Sequence, residues 1–496
     1  MTTTKLCASL EGLDEFINEQ LQLWNGVGTA VAVIHKDEVI WQKGYGYRDL
    51  ESKLEVSPNT LFAIGSSTKA FTAATAALLV DEGILDWDAP VKTYMKDFRM
   101  FDSVATERLT IRDMLCHRSG LPRHELVWYN SPRTREELVR TLQYLEPNQD
   151  FRNKWQYQNL MYMTAGYLVG QLNETSWEQM VQKSLFNPLG MNSSLFSVEE
   201  MQLQSDYAYP YMEKDGQNTR IPFRAIDAVG PAGSINSNLI DMIAWLQFQL
   251  HQGQWRGTSL ISKEQMKTMH SPPMPSDSPF ISQELPVSTY GLGWMIEPYR
   301  GHAMIHHGGA IDGFASQVAF LPEEQIGIVV LSNTHGSIIP YTVAFHIMDR
   351  LLGLEPVNWS SKLSKLMGKE SAETEANPEN PSEVPIQPDT AVEEKMEEPH
   401  IIPCDRPYTA YAGIYTHPGY GEMSIQETTD GLRATFNAIE MSMAYTGNDT
   451  FSVELITFGL QITFTFTVDH EHNSQSISIP LLLEPGTKPI EFSRVS

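Results

Sequence analysis

Residues 362–402 divide this sequence into two parts, because acidic residues and prolines replace most of the large apolar side chains that a folded core requires. This stretch contains KESAETEANPENPSEVPIQPDTAVEEKMEEPH, in which acidic residues and prolines predominate. Such a segment cannot bury enough apolar surface to offset the conformational entropy that it would lose on ordering. We therefore predict a disordered, solvated linker over 362–402, between an N-terminal domain over 1–361 and a C-terminal domain over 403–496.

The C-terminal part has the alternating pattern of half-buried strands. In ITFTFTV, the residues Ile462, Phe464, Phe466 and Val468 alternate with three threonines, so the two sets point to opposite faces of a strand. Turn signals such as Thr429-Asp430-Gly431 separate neighbouring segments of the same kind. This pattern predicts a small antiparallel β-barrel.

The N-terminal part combines strands at both ends with helices between them. The segment GTAVAVIHKDEVIWQKGYGYRD predicts two strands around a turn at 35–38. Helical periodicity dominates from about 66 to 270, and YGLGWMIEPY, HAMIHHGG, FASQVAFLP and IGIVVLSN then predict consecutive antiparallel strands before a closing helix. We expect an α/β (α+β) domain in which helices cover one antiparallel sheet and a helical lobe lies beside it.

The charge of the chain excludes some classes of partner. It has 496 residues and a formal net charge of −26, whereas nucleic acids and anionic membranes bind basic surfaces. The start, MTTTKLCASLEGLDEFINEQ, has no basic region followed by a long apolar run, and eighteen apolar residues never follow one another. We expect a cytoplasmic protein that binds neither nucleic acid nor membrane.

The segment Ser66-Ser67-Thr68-Lys69 places a hydroxyl and an amine three residues apart. A step of three residues is roughly 300° of helical rotation, so Ser66 and Lys69 share a face while Ser67 points away. A serine becomes a nucleophile when a neighbouring base accepts its proton, and a lysine can be that base when burial lowers its pKa. The same four residues are also typical of an ordinary helix N-terminus with no catalytic role.

Two later motifs favour the catalytic interpretation. Tyr157-Gln158-Asn159 precedes a long apolar helix, and His307-Gly308-Gly309 lies within a predicted strand. The order SxxK, YxN, HxG resembles the penicillin-recognising serine hydrolases, in particular the class C beta-lactamase-like group, which includes D-aminopeptidases, DD-peptidases and esterases. The resemblance extends over roughly 10–355 and includes LTIRDMLCHRSGLP, AVGPAGSINSNLIDMIAWL and YGLGW. The C-terminal part is similar to the lipocalin-like accessory domain of some members.

The resemblance implies a role for each motif residue. Ser66 would be the nucleophile, and Lys69 and Tyr157 would share its proton, with either of them as the base. A phenol becomes a usable base only beside a cation, and we expect Lys69 to be that cation. Asn159 would hold either the Lys69 amine or a substrate carbonyl. The oxyanion hole would consist of the backbone amides of Ser66 and Ala310.

The third motif departs from the Lys-Thr-Gly strand of beta-lactamases. His307 and Gly309 would orient substrate, but an imidazole replaces the lysine cation and no hydroxyl is present. We expect His307 to change charge near pH 6.5 and thereby to make carboxylate recognition pH-dependent. His306 should point to the opposite face of the strand.

These residues predict a serine hydrolase that forms an acyl-enzyme on small esters or short peptide amides, with D-amino-acid peptides as the amide class that the resemblance favours. A beta-lactamase or DD-carboxypeptidase is one alternative, and a catalytically idle scaffold or filament subunit is another. We expect no cofactor and no metal ion, since no phosphate-binding glycine loop is present and His302, His306 and His307 lie too close together on one strand. Homo-oligomers through the C-terminal domain are a further expectation.

Overall fold

The computed structural model describes residues 3–366, 404–455, 460–470, 473–481 and 487–495. The chain forms two compact units, Met1–Lys369 and Glu370–Ser496. Most of the predicted linker lies outside the described residues. Its first residues are helical, however, because the helix Trp359–Leu366 continues past residue 361 and buries Leu363.

The strands of the first unit are β1 (Gly28–His35), β2 (Glu38–Asp49), β3 (Leu54–Glu55), β4 (Phe62–Ala63), β5 (Tyr211–Lys214), β6 (Gln217–Arg220), β7 (Asn236–Ser237), β8 (Gln254–Trp255), β9 (Thr258–Ser259), β10 (Met274–Pro275), β11 (Thr289–Tyr290), β12 (Met295–Tyr299), β13 (His302–Ile311), β14 (Phe314–Leu321) and β15 (Ile326–Ser332). Over the described residues, nine of them form one antiparallel sheet in the order β10-β11-β12-β13-β14-β15-β1-β2-β3. The N-terminal hairpin thus pairs with a late strand, with Val31 opposite Val330.

The α-helices of this unit are α1 (Thr3–Ser9), α2 (Leu13–Leu23), α3 (Lys69–Asp81), α4 (Val91–Tyr94), α5 (Ser103–Arg108), α6 (Ile111–Leu115), α7 (Glu125–Trp128), α8 (Arg135–Thr141), α9 (Asn159–Leu172), α10 (Trp177–Val181), α11 (Asn187–Leu189), α12 (Val198–Gln202), α13 (Leu239–Leu250), α14 (Lys263–Met269), α15 (Ile339–Leu352) and α16 (Trp359–Leu366). Short 3₁₀ helices occupy Gly65–Thr68, Leu142–Tyr144 and Asp227–Ala232, and a π-helix occupies Gln182–Phe186.

Helices pack against the sheet where apolar side chains cover it. Every residue of β1 is buried, and α13 and α15 both contact the neighbouring strand β15. In α2, Leu13, Ile17 and Leu21 are buried at a four-residue spacing, which places them on one helix face. Almost all of α3 is buried, as expected of a helix that is apolar all round. The predicted mixed α/β fold is confirmed.

The second unit is a closed antiparallel barrel whose eight strands are counted over its described residues. They are β16 (Gly413–His417), β17 (Gly421–Thr428), β18 (Gly431–Phe436), β19 (Ile439–Gly447), β20 (Thr450–Leu455), β21 (Leu460–Val468), β22 (Ser474–Ile479) and β23 (Ile490–Arg494), and the 3₁₀ helix Tyr408–Ala410 precedes them. In β21, Ile462, Phe464 and Phe466 are buried and the threonines between them are exposed. The predicted barrel is therefore confirmed.

No helix in the described part of the chain is long and apolar enough to cross a membrane.

Candidate active site

Ser66 lies on the short 3₁₀ helix that leads into α3. The residue before it, Gly65, has a φ of 52°, a left-handed conformation that glycine adopts without strain. A Cβ at Gly65 would lie 2.9 Å from the amide nitrogen of Ala310. Glycine at 65 therefore lets this segment approach β13 closely, and Ser66 itself stays half-buried.

Lys69 is the first residue of α3 and is fully buried. Its Nζ lies 3.2 Å from Ser66 Oγ, 2.8 Å from Asn159 Oδ1 and 2.7 Å from the carbonyl oxygen of Ala232. Burial lowers the pKa of this amine well below its usual value, and the positive charge of Arg123 lowers it further. The structure thus brings together the serine and lysine that the sequence singled out.

These three contacts can be made by the lysine in either charge state, since an ammonium donates to all three oxygens. The Asn159 and Ala232 oxygens can only accept hydrogen bonds, so they take both N–H groups when the amine is neutral. In that neutral form the lone pair is left for the third neighbour, so the Ser66 hydroxyl can donate to it. Geometry and pKa direction agree that Lys69 can accept the proton of Ser66.

Tyr157 lies just before α9, with the Lys69 amine 4.6 Å from its ring centroid. Burial raises the pKa of this phenol, although its hydrogen bond with Ser66 and the charge of Arg123 act in the opposite direction. The direction of this shift opposes the expectation that the Lys69 cation makes Tyr157 a usable base. Burial outweighs the hydrogen bond and the charge, and it favours the protonated phenol.

Asn159 holds the Lys69 amine, which is the first of the two arrangements expected for it. Its amide nitrogen faces the carboxylate of Glu125 at 3.3 and 3.4 Å, so the amide oxygen must point to Lys69. Glu125 also accepts a hydrogen bond from Arg123 at 2.6 Å. The guanidinium of Arg123 in turn lies 5.0 Å from the ring centroid of Tyr157.

Sequence reasoning missed this charged pair. Arg123 and Glu125 directly follow the segment LTIRDMLCHRSGLP, but two opposite charges near a helix start are common at protein surfaces. From sequence, His117 is expected only to satisfy local backbone groups; its Nδ1 accepts from the backbone amide of Gln158 at 3.0 Å, and its ring also lies 4.4 Å from that of Tyr157. The sequence signal for these three residues is that they lie in, or directly after, a segment that the family resemblance includes.

The strand β13 needs both glycines of the third motif. A Cβ at Gly309 would lie 1.9 Å from the carbonyl oxygen of Ile64, and one at Gly308 would lie 1.8 Å from the hydroxyl of Tyr341. Both distances are far shorter than van der Waals contact. Gly309 therefore lets β13, and with it the amide of Ala310, lie against the segment that carries Ser66, whereas Gly308 leaves room for Tyr341 of α15.

His307 differs from its expected behaviour. The hydrogen-bond network assigns its proton to Nδ1, which donates to the Gly308 carbonyl at 2.6 Å, while Nε2 accepts from the Tyr290 hydroxyl at 2.8 Å. Burial, and secondarily the Lys69 charge, lower the pKa of His307 to about 3. The prediction of a charge change near pH 6.5 is wrong, because the ring is 4% exposed and both nitrogens have partners within the protein.

Three other polar residues that the sequence analysis considered do not join the cluster around Ser66 and Lys69. Ser67 is buried, and its hydroxyl donates to the His307 carbonyl at 3.1 Å and contacts Ser316. His306 faces Glu297 at 3.0 Å in the core, as strand alternation predicts. His302 faces Glu324 at 2.6 Å.

Comparison with known proteins adds relatives to this geometry. A family model described as "Beta-lactamase" matches residues 13–346, and a domain of unknown function (DUF3471) matches 397–494. Unguisins hydrolases of Aspergillus campestris and Aspergillus violaceofuscus are 29% and 28% identical, over 83% and 90% of this chain and 76% and 83% of theirs.

A solved structure shares the fold of the chain. The octameric penicillin-binding protein homologue from Pyrococcus abyssi superposes with a TM-score of 0.64 at 22% identity, covering 98% of this chain and 100% of the other. The family match spans most of the first unit and contains all three motifs. The chain is therefore a serine hydrolase that belongs to the beta-lactamase family.

Proposed function

We propose that the chain hydrolyses small esters or peptide amides through an acyl-enzyme on Ser66, with D-amino-acid peptides as the leading amide class. The observation that carries this proposal is the buried Lys69 amine, 3.2 Å from Ser66 Oγ and otherwise bonded to two oxygens that only accept. Neither of these two oxygens can donate a proton to the amine, so the neutral amine can act as a base toward the Ser66 hydroxyl.

The reaction has six proton movements, of which three form the acyl-enzyme. Ser66 Oγ attacks the substrate carbonyl while Lys69 Nζ takes the hydroxyl proton. The resulting oxyanion accepts hydrogen bonds from the backbone amides of Ser66 and Ala310. Tyr157, which keeps its proton at neutral pH, donates it to the departing amine or alkoxide, and Lys69 then returns a proton to Tyr157. Water attacks the ester of Ser66, and the same groups repeat these steps to release the acid.

The neutral state of His307 supports esters and amides over substrates that carry a carboxylate next to the scissile bond. A lysine would offer a cation to such a carboxylate, whereas His307 offers none above pH of about 3. For this reason we rank beta-lactams below uncharged esters and amides. A catalytically idle scaffold would have no use for an uncharged buried lysine, whose burial is costly.

The test is covalent labelling followed by kinetics. A fluorophosphonate should modify the wild-type chain at Ser66, as located by mass spectrometry of the labelled peptide. Ser66→Ala should abolish labelling, whereas Ser67→Ala should retain it, because the Ser67 hydroxyl is bonded to the His307 carbonyl. Short-chain p-nitrophenyl esters and D-amino-acid amides should be turned over faster than nitrocefin. Labelling that persists in Ser66→Ala would contradict the proposal.

A further inference from the structure

A cavity lies in the first unit, beside the segment that carries the nucleophile. We call it the Asp312 cavity, and the residues that define it are Phe223, Arg224, Asp227, Gly233, Asp312 and Phe314. Aromatic rings form part of its wall, and its charged groups come from the loop over 221–227 and from the turn after β13.

This cavity lies beside the two backbone segments that carry Ser66 and Ala310. A Cβ at Gly233 would lie 3.7 Å from the carbonyl carbon of Gly65, which immediately precedes Ser66. On the other side, Ile311 lines the cavity and directly follows Ala310. The cavity volume is about 20 Å³, which gives room for a group of the size of a water molecule or an ammonium head.

The order of residues along β13 shows which part of the substrate faces the cavity. Tyr157, the proton donor to the leaving group in the proposed function, contacts His307, with ring centroids 6.3 Å apart. His307 precedes Ala310 on the strand and Asp312 follows it. The leaving group accordingly lies toward His307, and the acyl part lies toward Asp312.

Asp312 has an oxygen without a partner. Its φ of 27°, followed by 84° at Gly313, identifies a tight turn between β13 and β14, a position that suits aspartate. The turn does not require burial, yet Asp312 is only 7% exposed. Its Oδ1 accepts from the Tyr129 hydroxyl at 2.7 Å, whereas its buried Oδ2 has no hydrogen-bond partner in the described part of the chain. Such an unpaired oxygen is costly unless a ligand pairs with it.

The Asp312 carboxyl is ionised at neutral pH. Burial raises its pKa to about 6, while the Tyr129 hydrogen bond and the charge of Arg224 lower it. Arg224 lines the same cavity, and the nearby Asp227 is exposed to solvent. Asp312 is thus a buried carboxylate with a vacant acceptor site.

We propose that the Asp312 cavity is a subsite for an ammonium group on the acyl part of the substrate, with Asp312 Oδ2 as its acceptor. The rings of Phe223 and Phe314 line the same cavity, and aromatic faces favour a nearby cation. This inference rests on the proposed function, since it concerns the acyl group that Ser66 accepts. The ammonium is either the α-amine of an aminoacyl group or the end of a basic side chain.

The experiment compares p-nitroanilides that differ in charge. The first, phenylalanine p-nitroanilide, has a free α-amine, and 3-phenylpropionyl p-nitroanilide is its neutral analogue. N-acetyl-lysine p-nitroanilide places the ammonium on the side chain, and both amino acids are used as D and L enantiomers. We expect wild-type kcat/KM to favour one cationic form over the neutral analogue by about ten- to a hundredfold, as for a hydrogen bond to a charged group.

Asp312→Asn should reduce this ratio to near one, since an asparagine oxygen can still accept from Tyr129 but carries no charge. Asp215→Asn, in the turn between β5 and β6, is the matched control and should keep the ratio, because its exposed carboxylate lies outside the cavity. A competition assay that needs no variant gives a second measurement. Phenethylammonium should inhibit wild-type ester hydrolysis, whereas phenethyl alcohol at the same concentration should not.

Two failures can be told apart. A chain that is not labelled at Ser66 and turns over none of these substrates contradicts the proposed function. A chain that is labelled at Ser66 and hydrolyses esters, but shows the same charge preference in wild type and Asp312→Asn, or no inhibition by phenethylammonium, overturns the subsite. Loss of the ratio in Asp215→Asn alone would also overturn it.

Discussion

The amine of Lys69 shows how single residues acquire their chemistry from their surroundings. In water a lysine is almost always charged, but here burial and Arg123 both act against its charge, and two carbonyl-type oxygens take its two N–H groups. Tyr157 is affected in the opposite direction, since burial keeps its proton in place. One dry site thus yields a base and an acid from two groups that titrate at similar pH in solution.

Lys69→Arg should abolish turnover, although it keeps the charge and approximate length of the side chain. An arginine cannot release its proton in a protein, so it cannot accept one from Ser66. Wild-type kcat/KM should fall as the pH falls through the lowered pKa of Lys69, because protonation removes the base. Pre-steady-state measurement of acylation across pH checks this, and an acylation rate in Lys69→Arg equal to that of the wild type would contradict it.

Tyr157→Phe should lower turnover by orders of magnitude while the free energy of unfolding changes little. Its hydroxyl is the proposed donor to the leaving group, so amides, which need protonation on departure, should lose more rate than activated esters. The double variant, which also carries Lys69→Ala, should have nearly the same turnover as the less active of the two single variants. The losses should not multiply, because the two groups act as one unit. Strictly multiplicative losses would argue against this coupling.

At the level of elements, the site depends on how closely β13 approaches the 3₁₀ helix that carries Ser66. Gly309 faces the Ile64 carbonyl, and Ser316 of β14 donates to the same oxygen at 2.8 Å. This contact is between two backbones, so it fixes the relative positions of the nucleophile and the Ala310 amide without a flexible side chain between them.

Gly309→Ala should therefore lower both stability and activity, because the added methyl group would lie 1.9 Å from the Ile64 carbonyl oxygen and force the backbones apart. Overpacking of this kind costs about 1–3 kcal/mol of unfolding free energy. Ala310→Ser, one residue further on, is the control. The side chain of residue 310 is exposed, and only its backbone amide takes part in the proposed oxyanion hole. The free energy of unfolding and kcat/KM should therefore stay near wild type. Urea unfolding and ester kinetics on the two variants measure both effects.

At the level of the whole molecule, the first unit has a core of its own. One buried apolar cluster runs from Leu6 to Leu363 and includes strands and helices from both ends of that unit. The barrel buries a separate set of side chains, among them Phe451, Phe464 and Phe466. Each unit therefore has the apolar interior that an independent fold requires.

A chain that ends at residue 366 should fold and still react with a fluorophosphonate at Ser66. All groups of the candidate site, and the core beneath it, belong to the first unit. Circular dichroism, thermal unfolding and labelling of the truncated chain beside the full chain test this. An insoluble or unlabelled product would show that the barrel is needed to stabilise the first unit.

Folding stability should fall as the pH drops below about 6.5. Burial lowers the pKa of His117 well below its usual value and that of His307 to about 3, so the folded protein binds fewer protons than the unfolded chain in this range. The stabilisation is present above pH 6.5 and is lost as the unfolded histidines take up protons, at about 1.4 kcal/mol per pH unit for each. Urea unfolding at several pH values measures the slope, and His117→Asn should reduce it. An unchanged slope in that variant would contradict the assignment to His117.

The sequence by itself determined the fold class and the residues that meet at the site. Periodicities of two and of about 3.6 residues record which side chains are buried, and they predicted the sheet, the helices and the barrel. The three motifs predicted that Ser66, Lys69 and Tyr157 come together, because their spacing and order fit a known family.

Only the tertiary structure decided how these groups titrate and what surrounds them. A pKa depends on hydration and on charges from distant parts of the chain, and so the neutral imidazole of His307 and the protonated phenol of Tyr157 could not be read from local sequence. The same holds for Arg123 and Glu125, which act on groups some thirty to sixty positions away. Asp312 looked like an ordinary turn residue, because burial of one of its oxygens without a partner follows from the packing of separate segments around it.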